Sequence, residues 1–360
     1  MKVLHLPTNV ASQISVTVRA LREIGVEARG LVYGENRYGD PDGLEHFQPL
    51  SRRRHPFRSI ARTAAWWRIM SAAMRWADVI HWHFNNSTLP FDCDLRYAAR
   101  LGKARVVEFW GSDIRIPRIT ARDNPYAAQI YAADADAGRG REQRSLRTQR
   151  RFARWGFHCI LPGEELRPHL LEDLFPSVWM TRSRIMIAEY EPHYPNPQKS
   201  RPLVVHSASN TSRKGTDAVL AAIERLKTTF PDGFDFELIH GVSHERSLQI
   251  VRRCDLFIDQ FAAGAYGLAA VEAMALGKPV VGYVMPGLRK ELPTDLPIVD
   301  AMQDNLAEVV APLIADGKRR ALLGHEGRAF VVQHHDAINI AHKLAGYYEE
   351  LMNGVSNNGV

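Results

Sequence analysis

Short apolar or β-branched runs alternate with longer amphipathic stretches along the whole chain. Val3–Leu6, Ala28–Val32, Asp78–His81, Arg105–Phe109, Cys159–Leu161 and Arg184–Ile187 read as strands. A second series follows at Leu203–His206, Phe236–His240, Leu256–Asp259, Pro279–Tyr283 and Pro297–Val299. Between them, Ser12–Ile24, Thr216–Thr229, His244–Arg253 and Ala270–Leu276 carry apolar residues at helical spacing. Strands alternating with helices predict parallel sheets covered on both faces, and two series predict two doubly wound α/β domains. Glu191–Pro202 holds four prolines and no periodicity, so it reads as a linker. The expected division is residues 1–190, a linker at 191–202, a second domain at 203–336, a helix at 337–352 able to pack back on the first domain, and a disordered tail at 353–360.

Composition narrows this little. The 360 residues are 45% hydrophobic and 24% charged, ordinary for a globular chain. No run approaches the roughly 20 apolar residues of a membrane span. The opening MKVLHLPTNV reads as a first strand and not as a secretory leader. Cys93, Cys159 and Cys254 have neither metal-ligand nor disulfide-framework spacing, which points to a reducing, cytoplasmic setting. The net charge of +6 is uneven, with arginine clustered at 52–75 and 139–154. Such charge suits an anionic partner, but the clusters lack the interleaved aromatics of a nucleic-acid module.

Two segments in the second half carry candidate chemistry. In VVHSASNTSRKGTDAV (204–219) a strand leads into a polar loop with Ser209, Arg213 and Lys214 before a helix near Thr216. Ligands of open α/β sheets bind in such loops, and two cations at a helix start suit a diphosphate. A solvated basic turn is the plain alternative. In DLFIDQFAAGAYGLAAVEAMALGKPVVGY (255–283), Gly264 and Gly267 permit close backbone approach and Leu268 opens a helix. Amides around Tyr266–Leu268 can receive a phosphate or sugar hydroxyls, and Glu272, one turn on, can accept from a ribose diol.

KGT after a strand, followed by YGLAAVEAMALGKPVV, resembles the donor site of retaining GT-B glycosyltransferases, family 4 in particular. The resemblance implies two Rossmann-like domains facing each other across a cleft, with Arg213 and Lys214 on the donor diphosphate and Glu272 on the nucleotide ribose. It also implies donor-site roles for Ser209, Gly264, Tyr266, Gly267 and Leu268. The family usually has a second glutamate eight positions before the first; here that position is Gly264. Asp259 lies too early to replace it.

In the first half, the loop Pro7–Ser15 places Asn9 and Ser12 where the family tends to have glycines, and Ser12 also reads as a helix N-cap. DVIHWHFNNS ends a strand with His81 and His83. The pair has metal-ligand spacing, but no nearby cysteine or carboxylate completes a site, so a polar strand end bordering the cleft is expected, with His83 on the acceptor or sugar side together with Asn9, Ser12, Trp110, Ser112 and Asp113. VVEFWGSDIR resembles the family segment opposite the donor sugar, with Trp110 in place of a histidine, followed by Ser112 and Asp113. Trp110 can stack on a sugar, while Asp113 either accepts hydroxyls or caps the next turn. The triplets Asp92-Cys93-Asp94 and Asp134-Ala135-Asp136 follow no buried strand and are discounted as metal sites. In 52–76, Ile60, Ala64, Trp67, Met70 and Met74 form an apolar stripe; the Arg52–Arg75 charge suits packing on the sheet with solvated arginines, or docking to an anionic membrane.

The family implies a metal-independent transferase that moves a sugar from a nucleotide-diphosphate sugar to an acceptor hydroxyl with retention, by a front-face route, without a cofactor. Arg213, Lys214 and Asp113 are its expected catalytic residues; the acceptor is a glycan or a lipid-linked saccharide at a membrane surface. Two rivals stay open. One is a nucleotide-sugar epimerase; the other is a non-catalytic nucleotide-sugar-binding protein, favoured by Gly264 and Trp110.

Overall fold

Short strands, most of them rich in Val, Ile and Leu, pair side by side, and every strand pair among the described residues is parallel. The computed structural model describes residues 1–34, 44–47, 56–85, 87–132, 135–208 and 210–357, with backbone alone at 56–59, 130–132, 135–137, 213 and 355–357. The chain forms two compact units: residues 1–115, 140–186 and 337–360, and residues 116–139 and 187–336.

From the N-terminus come β1 (Lys2–Pro7), α1 (Gln13–Glu23), β2 (Glu27–Tyr33), β3 (Leu44–Phe47), α2 (Pro56–Trp76), β4 (Val79–His83), α3 (Cys93–Arg100) and β5 (Ala104–Glu108). Next, α4 (Pro117–Asp123) and α5 (Pro125–Ala132) belong to the second unit, before α6 (Ala135–Arg154), β6 (His158–Leu161) and β7 (Val178–Met180). The second unit continues with β8 (Leu203–Ser207), α7 (Thr211–Lys214), α8 (Thr216–Thr229), β9 (Asp235–Ile239), α9 (His244–Arg253), β10 (Leu256–Ile258) and α10 (Leu268–Ala275). It closes with β11 (Val280–Gly282), α11 (Pro286–Arg289), β12 (Val299–Asp300), α12 (Leu306–Ala315) and α13 (Gly317–His334), and α14 (Ala337–Asn357) ends the chain.

The first sheet has the order β3-β2-β1-β4-β5-β6-β7 and the second β12-β11-β10-β8-β9. The connection direction reverses between β1 and β4, and between β8 and β10. In open α/β sheets, ligands sit at the carboxyl ends of strands beside such a switch point.

Strand periodicity splits the first core in two. Leu4, Leu6, Trp66, Met70, Met74 and Trp82 fill one side of the sheet, and Val3, Ile14, Val18, Leu344 and Tyr348 fill the other. Thus α14 packs in the first unit with α1, and it runs past Gly354, where the sequence suggested a tail. The second core gathers Val204, Val219, Ile223, Leu256, Ile258 and Val310.

Four expectations change. Residues 116–139 leave the first unit because Asn124 donates from Nδ2 to Ala262 O at 2.9 Å and Tyr126 packs edge-on against Tyr283. The proline-rich 191–202 is fastened to the second unit: His193 N donates to Leu276 O, and Tyr194 stacks on His325. Arg184–Ile187 is not a paired strand; Val178–Met180 takes that edge, and the Arg184 side chain turns into the core. On α2 the buried face is Trp66, Met70, Met74, whereas Ile60 is 68% exposed and Ala64 also faces solvent. At about 100° per residue this face is rotated by roughly 60°, a sixth of a turn, from the expected stripe, with which it shares Met70 and Met74.

Candidate functional site

In the second unit, the loops after β8 and β10 meet at the switch point. His206 near the end of β8 bonds Ile258 O at 2.9 Å and Thr216 Oγ1 at 3.0 Å, tying the two loops from beneath. Burial holds His206 below the ordinary imidazole range. Gly215 adopts φ +67°, in the left-handed region, and a Cβ there would lie 3.0 Å from Phe261 Cβ. This turn brings Lys214 Nζ to 2.6 Å from Asp259 Oδ1, while Asp259 Oδ2 accepts from Gly267 N at 3.1 Å. One buried carboxylate therefore fixes the cation beside the start of α10. A Cβ on Gly267 would lie 3.7 Å from both Lys214 Nζ and Gln260 Nε2. The amides of Ala270 and Val271 bond back to Gly267 O, whereas those of Leu268 and Ala269 precede the helical ladder. Of the sequence candidates, Ser209 lies outside the described residues, and Arg213 is placed in α7 by its backbone.

Glu272 lies further along α10. Its Oε1 accepts from Tyr190 Oη at 3.1 Å and pairs with His244 Nε2 at 2.7 Å. The carboxylate is more enclosed than the sequence suggested, with a side chain 12% exposed. Tyr266 turns its hydroxyl to His335 Nε2 at 3.2 Å and its ring edge-on to Phe330, so it packs on the α13 side. Gly264, where the family glutamate is missing, has φ +74° and no room for a side chain. A Cβ there would lie 2.6 Å from Met285 Cγ and 2.8 Å from Asn124 Nδ2.

In the first unit the candidates cluster at the carboxyl ends of β1, β4 and β5. Asn9, not Ser12, caps the start of α1: Ile14 N donates to Asn9 Oδ1 at 2.8 Å, and the Ser12 hydroxyl makes no cap bond. Ser12 has φ 60°, which carries its side chain away from the helix amides. Asp113 accepts from the amides of Trp110, Gly111 and Ile114, so it caps its own turn and presents no free catalytic carboxylate. Burial pushes it up to about 6 against these three donors. Ser112 is exposed beside it. Trp110 lies parallel to His83 with centroids 6.2 Å apart, and Arg184 sits 5.5 Å from the indole ring.

Below Trp110 lies a fully buried relay. Tyr348 Oη is 2.6 Å from His81 Nδ1, His81 Nε2 is 3.3 Å from Glu108, His83 Nδ1 is 3.4 Å from Glu108, and His83 Nε2 is 2.9 Å from His5 Nδ1. Arg184 Nη2 donates to Glu108 at 2.6 Å. Burial holds His5, His81 and His83 below the ordinary imidazole range, and Arg184 keeps Glu108 below the usual carboxylate range. Here the fold supplies the carboxylate that the sequence did not place near His81 and His83. The three histidines bring nitrogens within 4.8 Å of one another, the one such group among the described residues. They fit a metal poorly. The His81 and His83 rings are stacked at 16°, His81 Nδ1 and His83 Nε2 are already hydrogen-bonded to Tyr348 and His5, and a guanidinium occupies the neighbouring carboxylate. Of the discounted triplets, Asp94 is spent on Ser87, Thr88 and Leu89, and Asp134 lies outside the described residues.

Sequence reasoning missed His244 and Tyr190, and set Asp259 aside by spacing from Gly264 alone. The only available signal was Asp259 itself, a carboxylate closing an apolar strand.

Residues 235–330 match the family model of glycosyl transferases group 1. No curated protein sequence matches the chain. A sucrose-phosphate synthase from Thermosynechococcus elongatus is similar at TM-score 0.64 and 13% identity, over 98% of this chain and 100% of that one. Anabaena HepE in complex with UDP and glucose follows at 0.58 and 14%, over 97% and 100%. WaaG, a glycosyltransferase involved in lipopolysaccharide biosynthesis, gives 0.59 and 12%, over 97% and 99%. Identities this low speak to the fold, and the two Rossmann-like sheets agree with them. The chain has the GT-B fold, and its second unit carries a glycosyl transferases group 1 segment.

Proposed function

We propose that the protein is a retaining glycosyltransferase that takes its sugar from a nucleotide-diphosphate donor bound at the carboxyl ends of β8 and β10. One arrangement supports this most: Lys214 Nζ is held by Asp259 beside the start of α10, and Glu272 follows about one turn later. The diphosphate lies on Lys214, Arg213 and the amides of Leu268 and Ala269, and the ribose diol on Glu272. HepE, a relative in fold, is described in complex with UDP.

The bond from the anomeric carbon to the diphosphate breaks, and one to the acceptor oxygen forms on the same face. The acceptor proton passes to the departing phosphate oxygen. Cations already in place stabilise the charge that develops on the leaving group, which is where differential binding acts. They offset that charge without a divalent ion in this reading. We assign the acceptor to the strand ends of the first unit, with Trp110 on its stacked base of His83 as the sugar platform. A lipid-linked acceptor is supported by α2, where Ile60 is 68% exposed and Arg68 and Arg75 face solvent. Arg62 instead packs over Phe47, and Arg52-Arg53-Arg54 lie outside the described residues. Cosedimentation with anionic but not neutral vesicles checks this part.

Exchanging Arg213 and Lys214 together for alanine should abolish donor turnover in a protein that still folds by circular dichroism, with a lowered melting temperature because Asp259 loses its buried partner; retained turnover overturns the assignment. The blocked space at Gly264 favours a second reading, a nucleotide-sugar-binding protein without activity. Donor affinity with neither hydrolysis nor transfer would favour it.

A further inference from the structure

Glu272 is held asymmetrically. Both of its donors, Tyr190 Oη and His244 Nε2, converge on Oε1, and Oε2 has no partner among the described residues. A carboxylate oxygen has two lone-pair sites, so Oε1 is full. A vicinal diol bound across both oxygens requires one donor to leave. Tyr190 is only 9% exposed and packed in the segment that Arg328 clamps through Tyr190 O. His244 stands at the first position of α9, with a side chain 44% exposed.

We propose that His244 is a displaceable latch on Glu272, whose place on Oε1 is taken by the ribose diol of an incoming nucleotide. This rests on the donor reading above. While latched, His244 is held above the ordinary imidazole value of 6.5 by its bond to Glu272, with burial opposing. The groups facing it are Glu272 on α10 and Tyr190, with Glu245 and Arg246 flanking it on α9. From β8 the titratable side chain is His206, whose two nitrogens are engaged elsewhere. Displacement returns His244 toward its ordinary value. Between the two values the free protein carries the proton and the complex does not. Nucleotide binding therefore expels a proton in that window, and affinity rises with pH through it.

The test is titration calorimetry with UDP-glucose and GDP-mannose, whose phosphate diesters do not titrate near neutrality. Each is run at about pH 7 in two buffers of different ionisation heat, and across about pH 6 to 8. The wild type should release a fraction of a proton and bind several-fold more tightly at the upper end. His244→Gln and His244→Asn should release none, lose the slope, and match or exceed wild-type affinity at the acid end. Wild-type proton release in these variants overturns the latch, as does uniformly weaker binding with the slope retained. Glu272→Gln separates the two levels: if it binds both probes as the wild type does, or if neither probe binds the wild type, the donor reading fails and the latch falls with it. A weakened Glu272→Gln beside unchanged His244 variants overturns the latch alone.

Discussion

At the scale of single residues, Gly264 decides how the sugar can be recognised. Met285 and Asn124 fill the space a side chain would take, and φ +74° strains any residue but glycine. Gly264→Glu should therefore not restore the family contact, and should destabilise by about 1–3 kcal/mol through overpacking, seen as a lower melting temperature. A variant that melts like the wild type and turns over donor faster would contradict this. Lys214 and Glu272 were legible in the sequence because each sits at a fixed place relative to a strand end or helix start. Their partners were not. Asp259 and Lys214 lie 45 positions apart and His244 and Glu272 28 apart, separations that no local periodicity encodes. Asp113 shows the reverse: of its two readings, the turn cap is the one its three amide donors satisfy.

At the scale of elements, the sequence located helices well and their faces less well. The phase of α2 is set by Trp66 against Tyr33 and Phe47, a cluster that includes an edge strand, β3, the sequence did not signal. The C-terminal helix could be assigned to a unit only by contact, because its apolar stripe fits any exposed sheet face. In place, α14 buries Leu344 and Tyr348 and closes the relay through the Tyr348 hydroxyl on His81. Tyr348→Phe should leave a buried imidazole nitrogen unsatisfied and cost about 1–3 kcal/mol. Arg184→Ala should cost about 3–5 kcal/mol, because it strands Glu108 as an unpaired buried charge. All seven tryptophans lie in the first unit, so denaturant unfolding followed by their fluorescence reads these losses without interference from the second. Unfolding midpoints equal to the wild type would rule out the relay as a stabilising network.

At the scale of the whole molecule, the two-series rhythm of strands and helices was enough to anticipate two parallel sheets, and the KGT and EAMALGKPVV segments to anticipate the GT-B fold. The transfer of residues 116–139 to the second unit was not legible, since its contacts are made by isolated side chains such as Asn124 and Tyr126. The units should also differ in acid. His5, His81 and His83 are neutral and buried in the first unit, so its unfolded state binds more protons once pH falls below about 6.5. The histidines' contribution to the stability of the first unit is then complete above that pH and is lost progressively below it, with Asp113, pushed up to about 6, offsetting part of the loss; a tryptophan midpoint unchanged down to about pH 5 would contradict it. The central claim is that a nucleotide-diphosphate donor binds in the second unit at the β8–β10 switch point. Hydrogen–deuterium exchange with and without UDP-glucose and GDP-mannose tests it most directly. Protection of residues 206–216 and 259–276 by at least one donor is predicted; no protection by either, or protection confined to the first unit, would contradict it.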